Sequence, residues 1–386
     1  MCALNVVKGM ILFMKFSINQ DILLTHLNYA IRGISTKNLR PILNCIKFEL
    51  TEEGLNLMST DNEIAIKTFI PKKDIYHIDS YGEIVVSGRY IYEIVRKLPN
   101  ELINLEEVID SKLYITTSNS SFTLNCNAAT EFPDLELEFN QNPIVLNQKV
   151  FKTIINQTAF AASPSETRPV LTGINFKIEN GIMECTATDS YRLAVKKVHL
   201  DSGITEKSNI IIPTKSINEL YKLLNDDEDN LEMHIFGNKV IFRFDCITML
   251  TRVISGTYPD TSKLIPDQYE LTMTVASNDF FAAIDRASLL TNESDKNTIK
   301  LQSNGDQIII SSNIPEIGNV EEKITINKDN DSEIKIAFNS KFMMESIKAL
   351  ESEEIELKFN GEIKPIIIKN PENDDVIQLI LPIRTY

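Results

Sequence analysis

Arg89, Lys215 and Lys341 stand 126 residues apart, twice, and each opens the same arrangement of charges. Glu93, Glu219 and Glu345 follow four residues on, and Arg96, Lys222 and Lys348 seven residues on. On a helix those offsets put two cations and one carboxylate on one face. Such a face can pair internally, each i,i+3 or i,i+4 pair contributing a few tenths of a kcal/mol. Repeated three times, it can instead present cations to a shared polyanion. Other residue types offer less. Asp61 and Asp189 occupy matching places in Ser59-Thr60-Asp61 and Ala187-Thr188-Asp189, and could be imagined as paired carboxylates. An Asp after a strand-ending Thr more simply closes a turn by accepting hydrogen bonds from its own backbone. His26, His77, His199 and His234 are isolated, without HExxH or a cysteine at metal-ligand spacing. No P-loop or Rossmann fingerprint appears. Asp226-Asp227-Glu228-Asp229 reads as a solvated link before a strand, so neither catalytic residues, a metal nor a cofactor is expected.

The elements that carry these residues repeat with them. The segments Glu83 to Leu98, Asn209 to Leu224 and Lys335 to Leu350 each begin with a short apolar run, rich in β-branched residues, that predicts a strand. Ser87-Gly88, Pro213-Thr214 and Asn339-Ser340 then start a helix. Ile91, Ile94, Val95 and Leu98 fall at i, i+3, i+4 and i+7, with Arg89, Glu93 and Arg96 opposite; Ser346 is the one polar lapse on the equivalent face of the third copy. A second amphipathic stretch opens each unit, at Asn19 to Arg32, Asn147 to Phe160 and Ala276 to Leu289. In the middle copy Val150, Phe151, Ile154 and Ile155 form the expected core stripe, leaving Lys149, Lys152 and Asn156 outside. Between the helices, alternating segments with turns at Glu53-Gly54 and Asn180-Gly181 predict a meander. The expected module is an α+β unit of two helices and roughly eight strands, with helices on one face of an antiparallel sheet. Three copies follow in tandem: an extension at residues 1–13, then domains at 14–141, 142–268 and 269–386, divided near Phe139 to Pro143 and Ile265 to Gln268.

Composition fits that plan. The chain has 386 residues, 43% hydrophobic, enough for three cores. Five scattered cysteines (Cys2, Cys45, Cys126, Cys185, Cys246) fit reduced thiols in a cytoplasm better than a disulfide framework. No apolar run reaches membrane-spanning length, so no membrane partner is expected. Met1 to Phe13 is mildly apolar but lacks a charged n-region and cleavage site, and reads as an extension ahead of a second possible start at Met14. Net charge is −15, against a simple nucleic-acid binder coated in basic residues. Residues 88–98 carry +2, and 214–224 and 340–350 carry +1 each, so the remainder carries −19.

Met14-Lys15-Phe16, Arg40-Pro41-Ile42-Leu43, Glu166 to Gly173, Ala187 to Ala194, Tyr258-Pro259-Asp260 and Leu381-Pro382-Ile383-Arg384 occur in the order found in bacterial sliding clamps. From Met14 to Tyr386 the chain resembles that family, the beta subunits of DNA polymerase III. The resemblance implies a head-to-tail homodimer forming a ring of six DNA-clamp domains. Helices would line a central hole and antiparallel sheets would form the outer wall. Duplex DNA would be held non-specifically, by topology, so that the replicative polymerase stays on its template. The residues it places toward DNA are Lys37, Arg89, Arg96, Lys149, Lys152, Lys215, Lys222, Lys341 and Lys348.

It also implies a pocket between the second and third domains for short apolar peptides. Those peptides would come from the polymerase III alpha subunit and other polymerases, the clamp loader, mismatch-repair and other clamp-binding proteins. Carried over by position, the pocket draws Leu171, Gly173, Thr188, Ser190, Tyr191, Arg192 and Leu193 from the second domain. Pro259 and Leu264 come from the linker, and Phe342, Ile363, Pro365 and Leu379 from the third domain. Leu381, Pro382, Ile383 and Arg384 come from the tail. Phe122, Leu289 and Leu290 match the family's dimer interface. Many members have Gly-His at Ser190-Tyr191 and a DNA-contacting arginine at Lys37; Ser165 stands where a longer polar residue reaches DNA, and Tyr386 extends past the usual end. The competing readings are a scaffold that binds only proteins and an enzyme built around Asp61 or Asp189. Retention on circular but not linear DNA separates the first from a clamp. A shared cleft for the two aspartates would be needed for the second.

Overall fold

The structure, a computed structural model, describes residues 13–34, 40–139, 142–200 and 207–384. Residues 1–12, Lys37 and Tyr386 lie outside the described residues. The chain forms two compact units, one of residues up to Gln148 with Lys222–Arg252, the other of Lys149–Tyr221 with the remainder from Val253. The repeat is visible in six helices: α1 (Gln20–Ala30), α2 (Gly88–Lys97), α3 (Gln148–Thr158), α4 (Thr214–Leu223), α5 (Ser277–Ser288) and α6 (Ser340–Leu350). All strand pairing is antiparallel, so the fold is α+β, three clamp-type modules in tandem. Among the described residues no helix is long and apolar enough to cross a membrane.

Among the described residues the first and third modules each have nine strands; the third divides them between two sheets, and the first holds them as two runs joined by one short contact. In the first, the run Ile64–Pro71, Gly54–Thr60, Cys45–Leu50, Gly82–Ser87 meets the run Ser121–Asn127, Lys112–Thr116, Leu102–Val108, Lys15–Asn19, His77–Ser80 only through Val85 and Val86 opposite Asn127 and Cys126. One core draws on both: Phe48 and Leu57 from one run, Phe16, Leu105 and Leu113 from the other, with Leu23, Leu27, Ile91 and Val95 from the helices. The third module repeats this about Phe280, Ile284, Phe338, Met343, Leu357 and Phe359. The expected single sheet is therefore divided into two runs in the first module and two sheets in the third, because local alternation shows which face of a strand is apolar but not which strands pair. Within α3, Phe151, Ile154 and Ile155 are buried, but Val150 is 37% exposed rather than core. It precedes the stripe begun by Phe151 by about 100° of helical turn.

Each unit joins strands from neighbouring modules into a continuous sheet by one rule. Ile64–Thr68, which follows the Asp61 turn, pairs with Ile247–Thr251, the last strand of the second module. Arg192–Lys196, which follows the Asp189 turn, pairs with Val376–Ile380, the last strand of the third. At the first of these joins His26 Nδ1 hydrogen bonds with Thr68 Oγ1 at 2.7 Å, and Thr68 donates to Cys246 Sγ at 3.7 Å. Burial outweighs the nearby Asp74 carboxylate and lowers the His26 pKa from 6.5 to about 4. The unfolded chain therefore binds a proton here at pH values where the folded chain does not. This contribution to stability is full above pH 6.5 and declines as pH falls toward 4. His26→Gln, which keeps a partner for Thr68 without a titrating ring, should lose less melting temperature than the parent between pH 7 and pH 4.5. Equal losses in scanning calorimetry would show that His26 does not set the difference.

Candidate partner pocket and basic helices

The join between Arg192–Lys196 and Val376–Ile380 gathers most of the residues expected to form a pocket. Asp189 Oδ1 accepts the amides of Tyr191 and Arg192 at 2.9 and 3.0 Å, so this aspartate closes a turn, as Asp61 does for Glu63 and Ile64 at 3.0 and 2.8 Å. The turn holds Ser190 at φ +79°, a backbone shape that suits glycine and strains a serine by about 1–2 kcal/mol. Tyr191 is thereby left 63% exposed, and its carbonyl accepts the Leu381 amide at 2.9 Å. Ile383 N donates to Ala337 O at 2.7 Å, so the backbone ties the tail down while Leu381 stays partly open and Pro382 half-buried. Arg384 is exposed.

Below the turn lie two apolar clusters. Leu193, Val195, Ile367 and Leu379 pack together and are covered by Ile265, Tyr269 and Ile377. Leu171, Ile211 and Tyr258 form the second with Val170 and Ile254. The Tyr258 hydroxyl accepts the Thr188 amide at 3.0 Å, which fixes the strand end, and burial pushes its pKa up. Gly173 leaves no room for a side chain: a Cβ there would stand 2.7 Å from the Ile212 carbonyl. Of the other residues expected here, Pro259, Leu264 and Ile363 are exposed and Pro365 is half-buried. Apolar floor and exposed rim together suit a peptide anchored by leucine or phenylalanine.

Arg192 turns inward. Only 8% exposed, it pairs with Asp189 at 3.0 Å and with Glu345, donates to the Phe160 carbonyl, and lies 4.3 Å over the Phe342 ring. It ties the turn to α6. Glu345 was legible only as a helix-surface acid, and nothing local marks it as the partner of a residue 153 positions away. Tyr258 had a visible clue, since Phe132-Pro133-Asp134 and Tyr258-Pro259-Asp260 are 126 residues apart and differ by that hydroxyl.

The basic residues divide more sharply. Arg89, Lys215, Lys222 and Lys341 are exposed, as are Arg96, Lys149 and Lys348. Arg96 donates to Glu93 at 2.6 Å, which holds the Glu93 carboxyl below its usual range. Lys348 lies 4.8 Å over Phe281, and Lys152, half-buried, lies 5.1 Å over Tyr221. The second helix of every module, α2, α4 or α6, is net positive; of the opening helices only α3 is, since α1 carries Asp21 and α5 two aspartates against Arg286. Phe122 is 38% exposed on its strand and Leu289, just after α5, is 79% exposed, while Leu290 is half-buried.

Comparison with known proteins places these features in a lineage. Residues 14–136 match the N-terminal domain of the DNA polymerase III beta subunit, 145–260 its central domain and 262–384 its C-terminal domain. The beta sliding clamp of Staphylococcus aureus is 41% identical over 97% of this chain and all of its own length. The crystal structure of the DNA polymerase sliding clamp from Bacillus subtilis superposes with a TM-score of 0.94 at 37% identity, covering 97% of this chain and 100% of that one. The beta chain of DNA polymerase III from Streptococcus pneumoniae gives 0.92 at 32% identity, covering 96% of this chain and 100% of that one. The chain belongs to the DNA polymerase III beta-subunit family, the sliding clamps of DNA replication.

Proposed function

We propose that two copies of this chain close head to tail into a ring around duplex DNA, tethering the replicative polymerase without catalysing any step, and work in the cytoplasm. The observation that carries the reading is what the joining rule leaves over. Each internal join pairs the strand after one module's turn with the last strand of the next. The corresponding strand of the third module, Gly318–Thr325, pairs only with Gln307–Ile314 among the described residues. The last strand of the first, Ser121–Asn127, leaves its other edge open from Ser121 to Asn125. Two open edges of complementary kind on one chain favour a heterologous contact, and a rotation that closes gives a ring. Phe122 lies on one of those strands, and Leu289 follows α5, which packs against the other. Domain limits at 141/142 and 268/269 give each module two helices and eight or nine strands among the described residues.

Charge supports the DNA reading. Exposed bases recur on the second helix of every module of a strongly acidic chain, without a base-reading motif, as a non-specific sliding contact requires. Lys37 belongs to the same proposed set. The peptide pocket supports recruitment of polymerases, clamp loader and repair proteins one at a time. A protein-only scaffold explains the pocket but gives the repeated bases no task.

Phe122→Lys with Leu289→Lys should yield a folded monomer, each lost apolar contact being worth roughly 1.5–3 kcal/mol. Sedimentation equilibrium at micromolar concentration checks it, and an unchanged dimer mass would place the interface elsewhere. Arg89→Glu, Lys215→Glu and Lys341→Glu together should cut polymerase processivity on a primed circle on the order of tenfold, more at higher salt, with melting nearly unchanged. Unaltered product lengths across a salt series would return these residues to a solvated-face role. Deleting residues 381–386 should weaken capture of a Gln-Leu-Ser-Leu-Phe peptide by about tenfold or more while the dimer persists. Equal titration curves for intact and truncated chains would move partner capture off this pocket.

A further inference from the structure

The first join contains a second version of the pocket, and it is already filled. The strand ladders make the comparison residue by residue. Ala65 faces Leu250 as Leu193 faces Leu379, and Ile241 lies beside Leu250 as Ile367 lies beside Leu379. Thr60 and Asn62 hold the places of Thr188 and Ser190, and Asn62 adopts the same left-handed backbone, at φ +77°. Pro133 stands 126 residues before Pro259. A small cavity of about 70 Å³ at this position is lined by Thr60, Asn62, Ala65, Leu250 and Arg252 together with the linker's own Pro133 to Glu136.

The chain's own linker takes the remaining space. Leu135 and Leu137 pack on Ala65, Ile241 and Leu250. Counting from the paired residues, Lys239 and Arg252 replace the second join's Pro365 and Leu381, so the rim is cationic here and apolar there. The occupant matches that rim, because Asp134, Glu136 and Glu138 alternate with Leu135, Leu137 and Phe139. Lys239 Nζ donates to the Glu136 carbonyl at 2.8 Å and to its carboxylate at 3.3 Å, and Arg243 lies 5.3 Å over the Phe139 ring. Arg252 Nε donates to the Asn62 carbonyl at 3.0 Å, holding the rim in place.

We propose that the first join is a second peptide-docking site, selective for acidic, leucine-anchored segments and kept closed by residues 133–139 of the same chain. It deepens the peptide-pocket reading and rests on it for the class of ligand. The site opens only when its linker leaves, so each chain presents a single free pocket to partners. Leu135→Ser with Leu137→Ser removes the linker's apolar anchors and leaves Ala65, Ile241, Leu250 and the Lys239 rim unchanged.

The probe is a fluorescent peptide of the sequence Phe-Pro-Asp-Leu-Glu-Leu-Glu-Phe, titrated into chains lacking residues 381–386 so that the second join does not contribute. The double variant should bind it at least about tenfold more tightly than its parent, and adding Lys239→Glu should remove the gain. Leu135→Ala alone, a milder truncation, should show a smaller gain and covers the case in which the double variant does not fold. Folded variants that bind no more peptide than the parent, or binding indifferent to Lys239→Glu, would overturn the proposal. Titration of Gln-Leu-Ser-Leu-Phe into the intact chain tests the second-join pocket separately, so the two failures remain distinguishable.

Discussion

Everything in this chain depends on how a strand edge is satisfied where one module meets the next. A β edge presents unpaired amides and carbonyls that must find partners in protein or water. Here the strand after a short aspartate-closed turn supplies its edge to the last strand of the following module, at both Ile64–Thr68 and Arg192–Lys196. The turn sets where that strand starts. With Asp61 or Asp189 accepting the amides two and three residues on, the chain reverses in two residues and the pairing register follows. A one-residue slip would rotate Leu193 out of its cluster and exchange it with the face of Arg192, Ala194 and Lys196, which is buried on the other side of the strand. Register at the join and shape of the site are therefore one constraint.

The two joins share their strand pairing and differ at a few positions. Ile64, buried at the first, is replaced at the second by Arg192, whose guanidinium is held by Asp189, Glu345 and two aromatic rings. A buried arginine is tolerable only with that full set of partners; removing one would leave a desolvated charge and cost about 3–5 kcal/mol. Phe132 becomes Tyr258, and the added hydroxyl takes the Thr188 amide. In the first linker apolar side chains follow directly after Pro133-Asp134, whereas after Pro259-Asp260 come Thr261, Ser262 and Lys263. The second linker reaches its own apolar cluster only farther along, at Ile265 and Tyr269. That polar interval leaves Leu264 and Pro259 at the surface.

Much of this was legible in the sequence, and the reasons are specific. Helical periodicity located all six helices to within about two residues, because each buries one face and the stripe repeats every 3.6 residues. Spacing of 126 gave the modular plan and the recurring bases. Strand partners were not legible: nine strands in two sheets and eight in one have the same local alternation. Val150 was misplaced because a four-residue apolar run does not say where its stripe begins. Arg192 was placed at the pocket by resemblance, but its inward path depends on Glu345 and Phe160, which no local pattern connects to it. The lining of the first join went unseen for a related reason, since Leu135 and Leu137 in a polar linker read as ordinary alternation until their partners are known.

The basic residues follow a different logic from the joins, and the contrast explains why they survive in so acidic a chain. A cation that stabilises a fold acquires a fixed acidic partner, as Arg286 does with Glu322 at 2.7 Å or Lys47 with Glu83 at 2.7 Å. On α6 the residue placed to neutralise Lys341 and Lys348 is Glu345, which is drawn away to Arg192. Lys348 is steadied by the Phe281 ring instead, which leaves its charge uncompensated. The same ion pair that secures the second join thus frees positive potential on the neighbouring helix. Pocket architecture and helix charge are coupled through one carboxylate, so change at Arg192 reaches both.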